Sequence, residues 1–152
     1  MADEIFVQDL RSFQLWAYGV VSAAANEHGG VTESNRFYDG VTQEDPPASD
    51  LFFRTWLRNF TSRPYSFGPD PQKRRCEAKG AIYMSIKFPV SRMDLLQSAW
   101  DLGILAQSKF RRRDHPCGII CREVNIDPVG VVSGEVYYQL LLTARYEFDE
   151  FI

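Results

Sequence analysis

The sequence predicts an α+β domain: a mixed or antiparallel sheet of about four strands packed against two helices, in the order α-β-β-α-β-β. Three features predict it. From Asp3 to His28, apolar residues recur at helical spacing. From Glu77 to Phe88, they alternate with the two-residue period of a strand. The long run Glu135 to Phe148 then mixes aromatic and aliphatic residues with polar ones, as a half-buried strand does. At 152 residues the chain reads as one domain spanning 1–152, long enough to bury a single core.

Each element has its own signal. In the first helix the apolar face is Ile5/Phe6, Leu10, Phe13, Trp16/Ala17, Val20/Val21 and Ala24. Gly29-Gly30 follow as the stop, and Asp3, Glu4 and Asp9 suit the positive pole at the start. Arg36 to Gly40 could form a short strand with a turn, and Gln43 to Asp50, with paired prolines, is a loop. Leu51 to Phe60 reads as a strand apolar on both faces, although Phe52, Trp56 and Phe60 also fit helical spacing. Thr61 to Gln72 holds Pro64, Gly68, Pro69 and Pro71 and reads as a loop. In Glu77 to Phe88, Ala78, Gly80, Ile82, Met84, Ile86 and Phe88 share one face, and Lys79, Tyr83, Ser85 and Lys87 the other. Pro89 ends that strand, and Ser91-Arg-Met-Asp94 has the form of a capping box. A helical stripe follows from Leu95 to Phe110, with Arg111-Arg-Arg113 at its negative pole. Gly118 to Asp127 reads as a strand, Pro128 to Gly134 as a connection, and the last two strands as an antiparallel hairpin.

Composition bounds the function. A net charge of −3 argues against a general nucleic-acid binder. No apolar run is long enough to span a bilayer, so no membrane partner is expected. The acidic start Met1-Ala-Asp-Glu4 is unlike a signal peptide, which predicts a protein made and kept in the cytosol. Aromatics at 14% exceed what one small core readily hides, so rings at interfaces compete with a Phe-rich core as the explanation.

Catalytic chemistry finds little support. His28 fits a helix stop and His115 a turn, and neither has a partner at triad or ligand spacing. No phosphate loop and no nucleophile elbow occurs in the sequence. In His115-x-Cys117-x-x-x-Cys121, an extended backbone would set the two thiols roughly 13 Å apart, too far to share an ion. Only a turn there would rescue a metal site, so Cys76, Cys117 and Cys121 read as structural thiols. No catalytic residue, metal or cofactor is predicted.

Two basic clusters remain: Lys73, Arg74 and Arg75 with Lys79, and Lys109 with Arg111, Arg112 and Arg113. A solvated loop and a helix end explain them without any function. The alternative is a patch facing phosphate or acidic groups, for which the acidic run Glu147 to Glu150 of a neighbouring copy is one counterpart. Trp56, Phe148 and Phe151 are candidate interface residues.

The run Gly80 to Pro89, the helix ending near Phe110, the strand after it, Pro128-Val-Gly130, Gly134, Tyr137-Tyr138 and the apolar strand to Phe148 together resemble the tail terminator proteins of tailed bacteriophages. Phe13 and Trp16 in the first helix fit that layout too, whereas Val31–Asp50 and Thr61–Arg75 depart from it. The resemblance is one of layout and covers most of the chain. It implies a non-enzymatic virion subunit that forms a hexameric ring on the tail tube, ends tube growth and joins tail to head. The implied partners are further copies of the chain, the tail tube protein, neck and connector proteins, the sheath terminal ring, and DNA passing without sequence specificity through the lumen. Under this reading the basic residues 111–113 face the lumen or a neighbour. Two rival readings stand beside it: a neck or head-completion protein of the same particle, and a small nucleic-acid-binding module that uses the two basic clusters.

Overall fold

A computed structural model describes residues 10–39, 49–64, 75–111, 120–131 and 136–151. It is an α+β fold with one mixed five-stranded sheet and two helices. The elements in chain order are α1 (Leu10–His28), β1 (Arg36–Tyr38), β2 (Phe52–Pro64), β3 (Arg75–Pro89), α2 (Leu96–Phe110), β4 (Ile120–Val131) and β5 (Tyr137–Phe151), with short 3-10 turns at Glu33–Asn35 and Val90–Leu95.

The sheet order is β1-β2-β3-β5-β4. Only the β1–β2 pair is parallel; β2–β3, β3–β5 and β5–β4 are antiparallel. Because β3 and β4 are both antiparallel to β5, they run parallel to each other, and α2 carries the chain from one to the other across β5. The expected final hairpin is present. The expected count of about four strands becomes five because the Arg36 segment does pair, at one edge.

The alternation read in β3 holds in three dimensions. Gly80, Ile82, Met84, Ile86 and Phe88 are buried under the helices, as are Phe53 and Thr55 of β2, Leu140, Leu142, Ala144 and Tyr146 of β5, and Val124 of β4. From above, α1 contributes Ala17, Val21, Ala24 and Ala25, and α2 contributes Ala99, Leu102, Ala106 and Phe110. Gly103 brings the α2 backbone down onto the sheet, since a Cβ there would stand 3.3 Å from the Ile126 side chain and 3.5 Å from that of Ile86. The buried hydroxyl of Thr55 donates to the Tyr83 carbonyl at 2.8 Å, which removes the penalty of hiding it.

The start of the second helix differs from expectation. Ser91 to Asp94 form no capping box: the segment is a 3-10 turn that begins after Pro89 and has no side-chain cap. Arg92, with φ −119° and ψ 53°, leaves helical geometry, and its guanidinium donates to the Asp94 carboxylate at 3.0 Å. That bond, the largest cause, holds the Asp94 carboxyl below its ordinary range. Asp94 is thus engaged by a charged donor and is not the group reaching back to a cap amide. The helix proper starts at Leu96.

Two further boundaries move. Strand β2 runs on to Pro64, past the expected loop start at Thr61, after a register shift between Asn59 and Thr61. Strand β4 continues through Pro128 to Val131, with a second irregularity between Pro128 and Gly130, where Gly130 takes φ +81°. An edge strand tolerates proline, because its unpaired side needs no donor. Residues 1–9 of the expected first helix lie outside the described residues.

The helix stop is as expected. Gly29 has φ +75°, a conformation that needs no Cβ, and its amide donates to the Ala25 carbonyl at 3.0 Å. His28 Nδ1 accepts the Gly30 amide at 3.1 Å, so the ring proton belongs on Nε2, 2.9 Å from the Ser98 carbonyl. One histidine thereby ties the end of α1 to the first turn of α2. Lys109 and Glu27 join the same two helices at 2.7 Å.

Candidate functional site

The helices cover one face of the sheet, and no described helix packs on the other. The registers define the residues of that open face. On β2 they include Phe52, Arg54, Trp56 and Arg58; on β3, Glu77, Lys79, Ala81, Tyr83, Ser85 and Lys87; on β5, Tyr137, Gln139, Leu141, Thr143, Arg145 and Glu147; on β4, Glu123, Asn125 and Asp127. Phe37 joins them from β1, edge-on to Phe52 at 6.1 Å. Phe52 also meets Tyr137 edge-on at 5.3 Å, and it is only 5% exposed. Rings therefore bury one another here without a helix above them.

Trp56 and Tyr83 are direct cross-strand partners and stack at 5.3 Å with an interplanar angle of 18°. Both are half-buried. Arg54 and Arg58 flank Trp56 along β2, while Lys79 and Lys87 lie toward the two ends of β3. Positions 52–58 of β2 and 79–87 of β3 carry four cations on this face, Glu77 precedes Lys79 on the same side of β3, and Glu147 of β5 stands opposite Lys79. On β4, Glu123 pairs with Arg145 at 3.6 Å and Asp127 lies further along the strand.

A second feature sits at one end of the sheet. Val129 and Val131 at the end of β4, Val136 just before β5, and Val90 and Met93 in the turn after β3 are all exposed. The Val90 amide donates to the Val136 carbonyl at 2.9 Å, which joins two of these segments. The stacked pair Phe88 and Tyr138, 5.2 Å apart, lies at the same end of the sheet.

The residues singled out in the sequence fare unevenly. Lys109 pairs with Glu27, and Arg111 donates to the Val124 carbonyl at 3.0 Å, beside Gln107, which donates to the same oxygen at 2.8 Å. These two members of the second cluster tie α2 to α1 and to β4. Arg112 and Arg113 lie outside the described residues, as do Lys73 and Arg74. Arg75, Phe148 and Phe151 are placed in strands β3 and β5 by their backbones. Glu147, the first residue of the acidic run, lies opposite Lys79 within the chain. Arg54 and Arg58 were missed because neither belongs to a run of charges. The legible signal was Arg-x-Trp-x-Arg in a strand, which puts all three on one side. The exposed valines were missed because 128–134 reads as a connection.

The cysteines, read from the sequence as structural thiols, are described only in part. His115 and Cys117 lie outside the described residues, and Cys121 is in extended β4. Among the described residues no group of three His, Cys, Asp or Glu side chains could hold an ion. Burial pushes the Cys121 thiol up to about 12. The folded state holds this proton more tightly than the unfolded chain. Its contribution to stability is therefore complete below the ordinary thiol range and fades as pH climbs toward 12. Cys121 should react with a thiol-specific disulfide reagent at pH 8 only after denaturation, and rapid labelling of the native protein at this position would contradict the burial.

No family model matches the sequence, and no curated protein matches it. Among solved structures, one chain with 11% identity aligns over 86% of this chain and 94% of its own, with a TM-score of 0.49; its recorded name carries no functional word. Among the described residues, no helix is long and apolar enough to cross a membrane.

Proposed function

We propose that this chain is a structural subunit that works by packing against copies of itself and against neighbouring proteins, as tail terminator proteins do at the end of a phage tail tube. The observation that supports this reading is the apolar end of the sheet. Of the seven large hydrophobic residues exposed among the described residues, five (Val90, Met93, Val129, Val131 and Val136) belong to this one end. Scattered exposed hydrophobics need no explanation, but a cluster of them marks a surface that something covers. In the proposed assembly six copies form a ring that caps the tube, stops its growth and offers a platform to neck and connector proteins while DNA passes through the lumen.

The test is mass in solution, with and without purified tail tube protein. Light scattering should give a species near six subunits in at least one of the two conditions. Val131→Asp combined with Val136→Asp should abolish that species. Both sites are more than half exposed, at 53% and 64%, so the monomer should keep its stability to within about 0.5 kcal/mol. A protein that stays monomeric in both conditions would overturn the reading.

A further inference from the structure

We infer that the sheet continues from one copy of this chain into the next, with the outer edge of β4 pairing antiparallel with the outer edge of β2 of a second copy. The inference rests on the ring reading above and adds how the copies join.

The sheet has two edges that are open among the described residues. Strand β4 has β5 on one side and no described strand on the other. At the far side of the sheet, β1 lies along 53–55 of β2, and the last described bond across that edge runs from the Asp39 amide to the Thr55 carbonyl at 3.1 Å. Along 56–64, no described strand pairs with the outer side of β2. Each edge presents a row of backbone donors and acceptors that water or another strand must satisfy. The stretches 56–64 of β2 and 122–130 of β4 match in length, at roughly 25–30 Å each. Edges that stay single are commonly blunted by lysine, proline or a very short strand. The stretch 123–127 of β4 contains neither lysine nor proline, and both irregularities of the strand lie outside it.

Direction and register select a second copy as the occupant. β2–β3, β3–β5 and β5–β4 each reverse direction, so β2 and β4 run antiparallel within one chain. Turning a second copy about an axis along the strands brings its β2 antiparallel to β4, with the helices of both copies on the same side. Repeating that operation gives the head-to-tail contact of a closed ring. One register covers 56–64 without displacing β1. It sets Arg58 opposite Asp127 and, past the shift between Asn59 and Thr61, Thr61 opposite Asn125 and Arg63 opposite Glu123. Each arginine position then meets an acid, whereas β4 paired with β4 of another copy would meet acid with acid. The backbone carries this contact. The side chains choose only the register, which takes the sign of neighbouring charges and no unpaired group. The exposed Val129 and Val131 lie on the same strand, so this edge is continuous with the apolar end of the sheet.

Two measurements test the inference. The first is hydrogen exchange of the parent protein, followed by mass spectrometry, under conditions where light scattering gives the ring and where it gives the monomer. Amides of 56–64 and 122–130 should exchange at least about tenfold more slowly in the ring, because those facing outward gain partners. The second is disulfide trapping between copies. Directly opposed residues of an antiparallel pair have Cα atoms about 4.5–5.5 Å apart, within reach of a disulfide. Under mild oxidation, an equimolar mixture of the Arg58→Cys and Asp127→Cys proteins should give a peptide pair linked through positions 58 and 127 after tryptic digestion. Each variant alone should give no link at its new cysteine. A ring whose β4 amides exchange as fast as in the monomer would overturn the edge contact and leave the ring reading standing. So would a link between two copies of position 127 that exceeds the 58–127 link. A monomer under every condition removes the ring reading and this inference together. If either cysteine variant misfolds, exchange in the parent protein decides.

Discussion

Gly80→Ala is expected to destabilise the fold by about 3 kcal/mol, which for a chain of this size lowers the melting temperature by roughly 6–12 °C. An exposed strand glycine would give the opposite sign, since alanine restricts the unfolded chain and favours the strand by up to about 1 kcal/mol. Here the space is already filled. Gly80 and Tyr146 are direct partners on β3 and β5, and the Tyr146 side chain crosses Gly80 to reach the Arg58 carbonyl on β2. A Cβ on residue 80 would run into that carbonyl and into the phenol ring of Tyr146, one of them backbone and the other held by burial. Burial also raises the phenol above its ordinary range, as expected of a hydroxyl set in the sheet rather than in water. The hydroxyl contact itself is long, at 3.4 Å, so Tyr146→Phe should cost under about 1 kcal/mol. Thermal melts of the two variants should therefore separate clearly. An alanine variant as stable as the parent would show that β2 and β5 do not approach each other over this glycine.

Phe110→Ala should cost about 4 kcal/mol, a loss of roughly 8–16 °C in melting temperature. The ring is fully buried in the last turn of α2, in the core shared by both helices and the sheet. It meets Trp16 of α1 edge-on, with centroids 6.2 Å apart at 76°. Removing it leaves a void below the point where α1 docks, and the buried residues that α1 contributes among those described are the small Ala17, Val21, Ala24 and Ala25. Trp16 fluorescence should shift toward that of a solvated indole before the global transition. Leu15→Ala, one residue away from Trp16 but 68% exposed, is the control and should change stability by no more than about 0.5 kcal/mol. Equal melting of the Phe110 variant and this control would show that α1 docks without the ring.

The parts of the fold legible in the sequence were those with a strong period or a hard stop. The alternation from Gly80 to Phe88 names the buried face of β3 residue by residue, and Pro89 ends it where the structure does. Gly29 stops α1 at the predicted place because only a positive φ closes that turn without strain. The two apolar faces of Phe52 and Phe53 were also legible, and both are buried, one beneath the helices and one among rings. Boundaries governed by pairing were not. Thr61 to Pro64 are strand because Cys76 to Lys79 lie opposite, and nothing local to 61–64 carries that information. The box at Ser91 failed because Arg92, sitting between its two ends, competes for Asp94. For the open face, the alternation showed that Tyr83 points away from the core. Its pairing with Trp56 depends on register across two strands, which neither strand specifies alone.

The position of β5 has a consequence for how the chain emerges from the ribosome. It is the last strand in the sequence yet lies inside the sheet, between β3 and β4. Until it is translated, β3 has one neighbour and β4 has none, and α2 has no finished floor to rest on. At roughly 5–20 residues per second, the delay between the end of β3 and the arrival of β5 is a few seconds. During that interval two apolar strand edges stand open to any passing nascent chain, which makes the speed of translation and the supply of chaperones a determinant of how much of this protein reaches its native form.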